Sequence, residues 1–124
     1  MVSNGLDGCF IGGGGIPAYP NRVGANYASV LGGFGNTASG AGSTAMGVGS
    51  KASGNTATAM GASTASGDYS TAMGYGTKAT GFASLATGYG SWASGSNSIA
   101  MGYSNNVNGS FSTAIGYSNN VSGD

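Results

Sequence analysis

The sequence contains no histidine and no glutamate, a single cysteine, two prolines, and only three basic and three acidic residues. Each shortage closes a class of function. With Cys9 alone and no histidine, neither a disulfide within the chain nor a His/Cys metal cage can form. The acids are Asp7, Asp68 and Asp124, too scattered to act as paired carboxylates, and no imidazole is present to activate the many serine and threonine hydroxyls. Catalysis is therefore not expected, and no cofactor is. Arg22, Lys51 and Lys78 balance the acids to a formal net charge of zero, which leaves no overall electrostatic footprint for nucleic acid or an anionic membrane. No apolar run approaches the roughly 20 residues of a membrane helix, and residues Met1 to Asp7 lack the basic start and apolar stretch of a signal peptide.

Large aliphatic residues and phenylalanine are scarce as well: Leu, Ile, Val and Phe make up only about one residue in seven, too few for an ordinary globular core. Disorder of the usual kind also needs high net charge, which is absent. What the chain has instead is 27 glycines and a strict period. From Tyr27 onward it can be written in seven rows of 14, starting at Tyr27, Ala41, Asn55, Asp68, Phe82, Ser96 and Ser110, with one residue missing beside Ala62. The seventh and fourteenth positions of every row are glycine, and the five or so residues between two such positions are of strand length.

Within the rows, side chains alternate with period two, as on a strand. The third position (Ser29 to Ser112), the fifth (Ala45 to Ala114, with Leu31 as exception) and the twelfth (Ala38 to Val121) are small, and these are assigned to the inside of a thin coil. The outer face of the first strand is apolar: Val30, Leu85 and Ile99 at the fourth position, Met46, Met60, Met73, Met101 and Ile115 at the sixth. The outer face of the second strand is polar, running through Lys51, Lys78, Trp92 and Asn106. The eighth position becomes aromatic at Tyr75, Tyr89, Tyr103 and Tyr117, which predicts a ladder of stacked rings. The fold expected is all-β, a parallel β-roll solenoid of about seven coils over residues 27–123, with residues 1–26 as an irregular N-terminal cap in which Cys9–Gly12 form a first strand and Ile16–Pro20 interrupt the ladder. The last row closes at Gly123, which suggests a segment of a longer fibre.

A coil this thin buries little apolar surface, so the apolar stripe is expected to lie against copies of itself around a symmetry axis. The candidate interface is Met46, Met60, Met73, Leu85, Ile99, Met101 and Ile115. The candidate ligand surface is Lys51, Lys78, Trp92, Tyr75 and Tyr89, because exposed Trp and Tyr are enriched at binding hot spots. Gly-x-Gly-x-x-Ala, beginning at Gly33, Gly47, Gly74 and Gly88, matches a dinucleotide fingerprint in letters, but that chemistry needs a helix N-terminus and glycine this frequent denies one.

Asn97-Ser98-Ile99-Ala100-Met101-Gly102 and Ser112-Thr113-Ala114-Ile115-Gly116 resemble the head repeat of the trimeric autotransporter adhesins, the YadA-like family, with Met in place of the usual Ile in four rows. The resemblance implies a left-handed parallel β-roll, a homotrimer, display on a Gram-negative cell surface, and binding to extracellular matrix or a cell-surface receptor, with no membrane contact by this segment. Similar repeats occur in trimeric phage and viral fibres, and a column of Thr44, Thr58 and Thr71 also suits an ice-binding solenoid; both remain as alternatives.

Overall fold

The computed structural model describes residue 2 and residues 5–123; Met1, Ser3, Asn4 and Asp124, which belong to the expected cap, the signal-peptide reading and the acid count, lie outside the described residues. Among the described residues there is no helix. Fourteen strands form a parallel solenoid: β1 (Phe10–Ile11), β2 (Arg22–Val23), β3 (Ser29–Phe34), β4 (Thr37–Ala38), β5 (Thr44–Val48), β6 (Lys51–Ala52), β7 (Thr58–Ala65), β8 (Thr71–Ala79), β9 (Leu85–Tyr89), β10 (Trp92–Ala93), β11 (Ile99–Tyr103), β12 (Asn106–Val107), β13 (Thr113–Tyr117) and β14 (Asn120–Val121). Each coil supplies a long segment to one ladder and a two-residue segment to another. In β7 and β8 the two segments run on as one strand.

Neighbouring coils are stacked in register, so like lies over like: Ala72 pairs with Ala59 and Ala86, Gly74 with Gly61 and Gly88, Ala93 with Ala79 and Val107. The interior is a column of alanines with almost no exposure, closed by Val23 and Val30 at one end and Val107 near the other. Larger side chains would force the two ladders apart, and a one-residue slip would turn this entire set outward.

The first regular coil departs from the 14-residue layout. Ser29 pairs with Thr44 and Val30 with Ala45, but Gly33 pairs with Gly47, so one extra residue sits between Val30 and Gly33. This coil starts at Asn26. Ala28 and Val30 are fully buried, and Leu31 is 47% exposed. The row layout places Ser29 and Leu31 inside and Val30 on the outer face; the structure corrects all three, with Ser29 level with Thr44 in the outer column and Ala28 taking its place inside. A bulge beside Leu31 turns the oversized leucine out and brings valine in. Before it, residues 7–24 make a further, interrupted coil: Phe10 pairs with Ser29, Arg22 with Thr37, and Val23 with Ala38. After the Gly15 amide donates to the Gly33 carbonyl (2.7 Å), the chain leaves the ladder in a short excursion pinned where Ile16 and Tyr19 bridge, and rejoins it where the Gly35 amide donates to the Tyr19 carbonyl at 2.9 Å.

A tenth column, unremarked in the sequence reading, lies inside the coil and is polar throughout: Asn21, Asn36, Ser50, Ser63, Thr77, Ser91 and Asn105 are all buried. Apart from Thr77, its side chains satisfy carbonyls at the bend. Asn105 Nδ2 donates to the Met101 carbonyl of its own coil (2.7 Å) and the Gly116 carbonyl of the next (2.8 Å), while its Oδ1 accepts from the Asn119 amide. Asn36 does the same with Gly32, Gly47 and the Ser50 amide. At the other turn, the hydroxyls of Ser70, Ser84 and Ser98 donate to the carbonyls of Gly67, Gly81 and Gly95, three residues earlier. Polar groups this deep are stable only because each bond replaces one lost to water.

The two glycine positions at the second bend differ in kind. Gly88 has φ +104°, and a Cβ there would overlap the Gly102 carbonyl oxygen of the next coil. Gly90 has φ +61°, but its Cβ would stand 3.5 Å from Ser104 Oγ, and Ser104 and Ser118 already occupy the same column with positive φ. Gly88→Ala is therefore expected to cost more than about 3 kcal/mol and Gly90→Ser only about 1 kcal/mol. Chemical denaturation checks this; equal midpoints for the two variants would show that the coils are not in close contact at the seventh column.

Candidate functional site

Because the core takes only small residues, with Ile11 packed against its N-terminal end, the Met, Tyr and Trp side chains among the described residues are on the outside, sorted by column. The first ladder carries the apolar wall. Met46, Met60, Met73, Thr87, Met101 and Ile115 follow one another rung by rung, with Thr58, Thr71, Leu85, Ile99 and Thr113 in the parallel column. Phe10 and Leu31 continue the wall toward the N-terminus. All seven candidate interface residues thus lie on one face. Met46, Met60, Leu85, Ile99 and Met101 are half-buried against their neighbours; Met73 is 38% and Ile115 67% exposed.

Aromatic residues at the adjoining turn flank this wall. Tyr27, Tyr69 and Phe111 are well exposed and hold φ between 55° and 60°. The left-handed region costs an L-residue of this kind roughly 1–2 kcal/mol, and Tyr69 recovers part of this in an edge-to-face contact with Phe82 (5.5 Å). The sequence does not announce this strain, because residue identity varies in the column and Gly42 is its one glycine among the regular coils.

The predicted tyrosine ladder is present. Tyr75, Tyr89, Tyr103 and Tyr117 stack with centroids 5.3, 5.0 and 5.1 Å apart and planes within 18° of parallel. At the N-terminal end of the same column, Tyr19, Phe34 and Val48 line a shallow apolar cavity with Gly35 and Gly49.

The second ladder presents the polar wall, its outer column running Arg22, Thr37, Lys51, Thr64, Lys78, Trp92, Asn106 and Asn120 in register. Lys78 Nζ lies 5.0 Å from the Trp92 ring centroid, and Trp92 Nε1 donates to Thr80 Oγ1 at 3.3 Å. Of the five candidate ligand residues, Lys51, Lys78 and Trp92 share this column, while Tyr75 and Tyr89 belong to the ladder at the bend. They form two separate surfaces.

Among the described residues, no group of three His, Cys, Asp or Glu side chains converges on a metal-sized site. Cys9 is half-buried, with its thiol directed at the Ala25 carbonyl (3.2 Å). Asp68 accepts from the Asn55 backbone amide at 2.8 Å and so ties one coil to the next at the turn. The Gly-x-Gly-x-x-Ala segments run through a strand end and a bend, with no helix following. The arrangement offers contact surfaces, one apolar and one polar.

The family model for the YadA head domain repeat matches residues 38–64, 62–77, 79–105, 93–119 and 108–124, well over half of the chain. No curated protein and no solved structure matches it.

The Lys78–Trp92 contact is expected to contribute about 0.5–1 kcal/mol as an exposed cation–π pair. A double-mutant cycle with Lys78→Gln and Trp92→Ala, read by denaturation, checks it; additive effects would mean that the two side chains are merely adjacent.

Proposed function

Since the chain belongs to the YadA head family, we propose that it is the head of a trimeric adhesin: a non-catalytic, surface-displayed module that holds binding surfaces clear of the cell and engages extracellular matrix or another cell. The observation that carries this reading is the apolar wall, continuous over the coils from Phe10 to Ile115 and only half covered in a single chain. Stripes of this kind rarely stay open to water on a soluble protein. Three copies meeting at a common axis close it with one repeated contact. The strained turn aromatics fit the same assembly: Tyr27, Tyr69 and Phe111 border the wall, and burial against a neighbouring copy would offset what their backbone costs. In such an assembly the polar wall faces outward, and repetition by symmetry turns weak contacts into avidity.

Light scattering is expected to give about three times the 11.8 kDa chain mass. Met73→Asp places a charge in the middle of the wall and should dissociate the assembly with loss of cooperative folding, whereas Lys78→Ala leaves mass and circular dichroism unchanged. A wild-type chain that stays folded at the mass of one copy would remove the basis for the trimer.

A further inference from the structure

The sequence spreads its few cations over the chain, but the fold gathers them. All three, Arg22, Lys51 and Lys78, lie in the one exposed column of the polar wall. Each is separated from the next by a single coil, occupied by Thr37 and then Thr64. The two described acids, Asp7 and Asp68, are in the first column at the other turn, and among the described residues none of the three cations is ion-paired. A chain with zero net charge therefore carries a positive stripe, ordered cation, hydroxyl, cation, hydroxyl, cation, indole.

We infer that this column docks a linear sulfated polysaccharide; the inference rests on the adhesin reading above and supplies it with a ligand class. Coils repeat at about 4.8 Å, so the cations recur about every 9.6 Å along the stripe. That is close to the length of one disaccharide, so successive sulfated disaccharides can each meet one positive charge. Thr37 and Thr64 offer hydroxyls to the sugar oxygens between, and Trp92, 43% exposed, ends the cationic run with an aromatic face of the kind on which a pyranose ring lies. The stripe is continuous and in register, as suits an extended ligand rather than a compact one. Nucleic acid fits less well. Phosphates recur every 3.4 Å along each strand of a duplex, far more densely than these cations, and no run of separated aromatic platforms is available to single-stranded bases. Three exposed cations make a weak, salt-sensitive contact on one chain, and multiplication by copy number makes it useful.

The test uses the intact chain on immobilised heparin, with desulfated heparin and a single-stranded oligonucleotide as comparison ligands, and mass measured in parallel. Retention is expected on heparin, lost on desulfation and reduced as salt rises. Lys51→Gln combined with Lys78→Gln should weaken binding about tenfold or more without changing mass or circular dichroism, Lys51→Arg should retain it, and Trp92→Ala should weaken it several-fold. Absence of retention, equal retention of the double variant, or binding to the oligonucleotide as tight as to heparin overturns the inference. A trimer that adheres to cells yet ignores heparin sinks the stripe and leaves the adhesin reading standing. A single folded copy that still binds heparin through Lys51 and Lys78 does the reverse.

Discussion

The structure depends on how closely successive coils approach one another at the glycine columns. A Cβ at Gly74 or Gly88 would overlap the carbonyl of the coil above, and one at Gly81 or Gly95 would do so at the other turn. With both turns held this tightly, the coil is flat, and the space between its ladders admits methyl groups and little more. The alanine columns follow from that thickness, as does the exclusion of the Met, Tyr and Trp side chains among the described residues from the interior. Hydrophobic burial inside one chain is correspondingly small, since each interior alanine contributes a single methyl group. Cohesion must come mainly from the parallel backbone ladders and from the ordered polar column at the bend.

That polar column shows how such a thin interior tolerates hydrogen-bonding groups. A bend built on glycine leaves carbonyls pointing inward, and unpaired carbonyls would be costly there. Asparagine meets the need best because one amide can donate to carbonyls of two coils while its oxygen takes an amide from the next, as Asn36 and Asn105 do. Serine manages a shorter version at Ser50, bonding the carbonyls of Met46 and Gly61. Thr77, in the same column, is buried with its hydroxyl unpartnered, which makes it the weak rung of an otherwise satisfied series.

Much of this was legible in the sequence, because a repeat reports one environment many times over. The glycine positions, the inner alanines, the apolar and polar walls and the tyrosine ladder could all be read by column. What could not be read were departures from strict repetition and positions whose identity varies. The slip at Leu31 was hidden because both Ser29 and Ala28 are small enough for the third column, and the extra residue beside it is a glycine among glycines. The coil over residues 7–24 was obscured by its excursion, though Asn21, Arg22 and Val23 repeat the Asn36, Thr37, Ala38 pattern of the next rung. The tenth column carried a signal that column reading can find: nothing but Asn, Ser and Thr between a glycine bend and an inner alanine.

A fold of this kind separates structural from functional selection more cleanly than a globular core does. Inner columns and glycines are constrained rung by rung by the packing of the next coil, so a change there is felt above and below. Outer columns are not packed between coils in this way, so the exposed side chains of Lys51, Lys78 and Trp92 are free of that constraint. The same regularity fixes the distances between them: any two residues of one outer column are a whole number of rungs apart. A ligand with its own repeat can match that spacing over many contacts, whereas a compact ligand can use only one or two. The polysaccharide proposed for the polar face and the identical copies proposed for the apolar face meet the same requirement. In both cases the partner must repeat along the axis as the coils do.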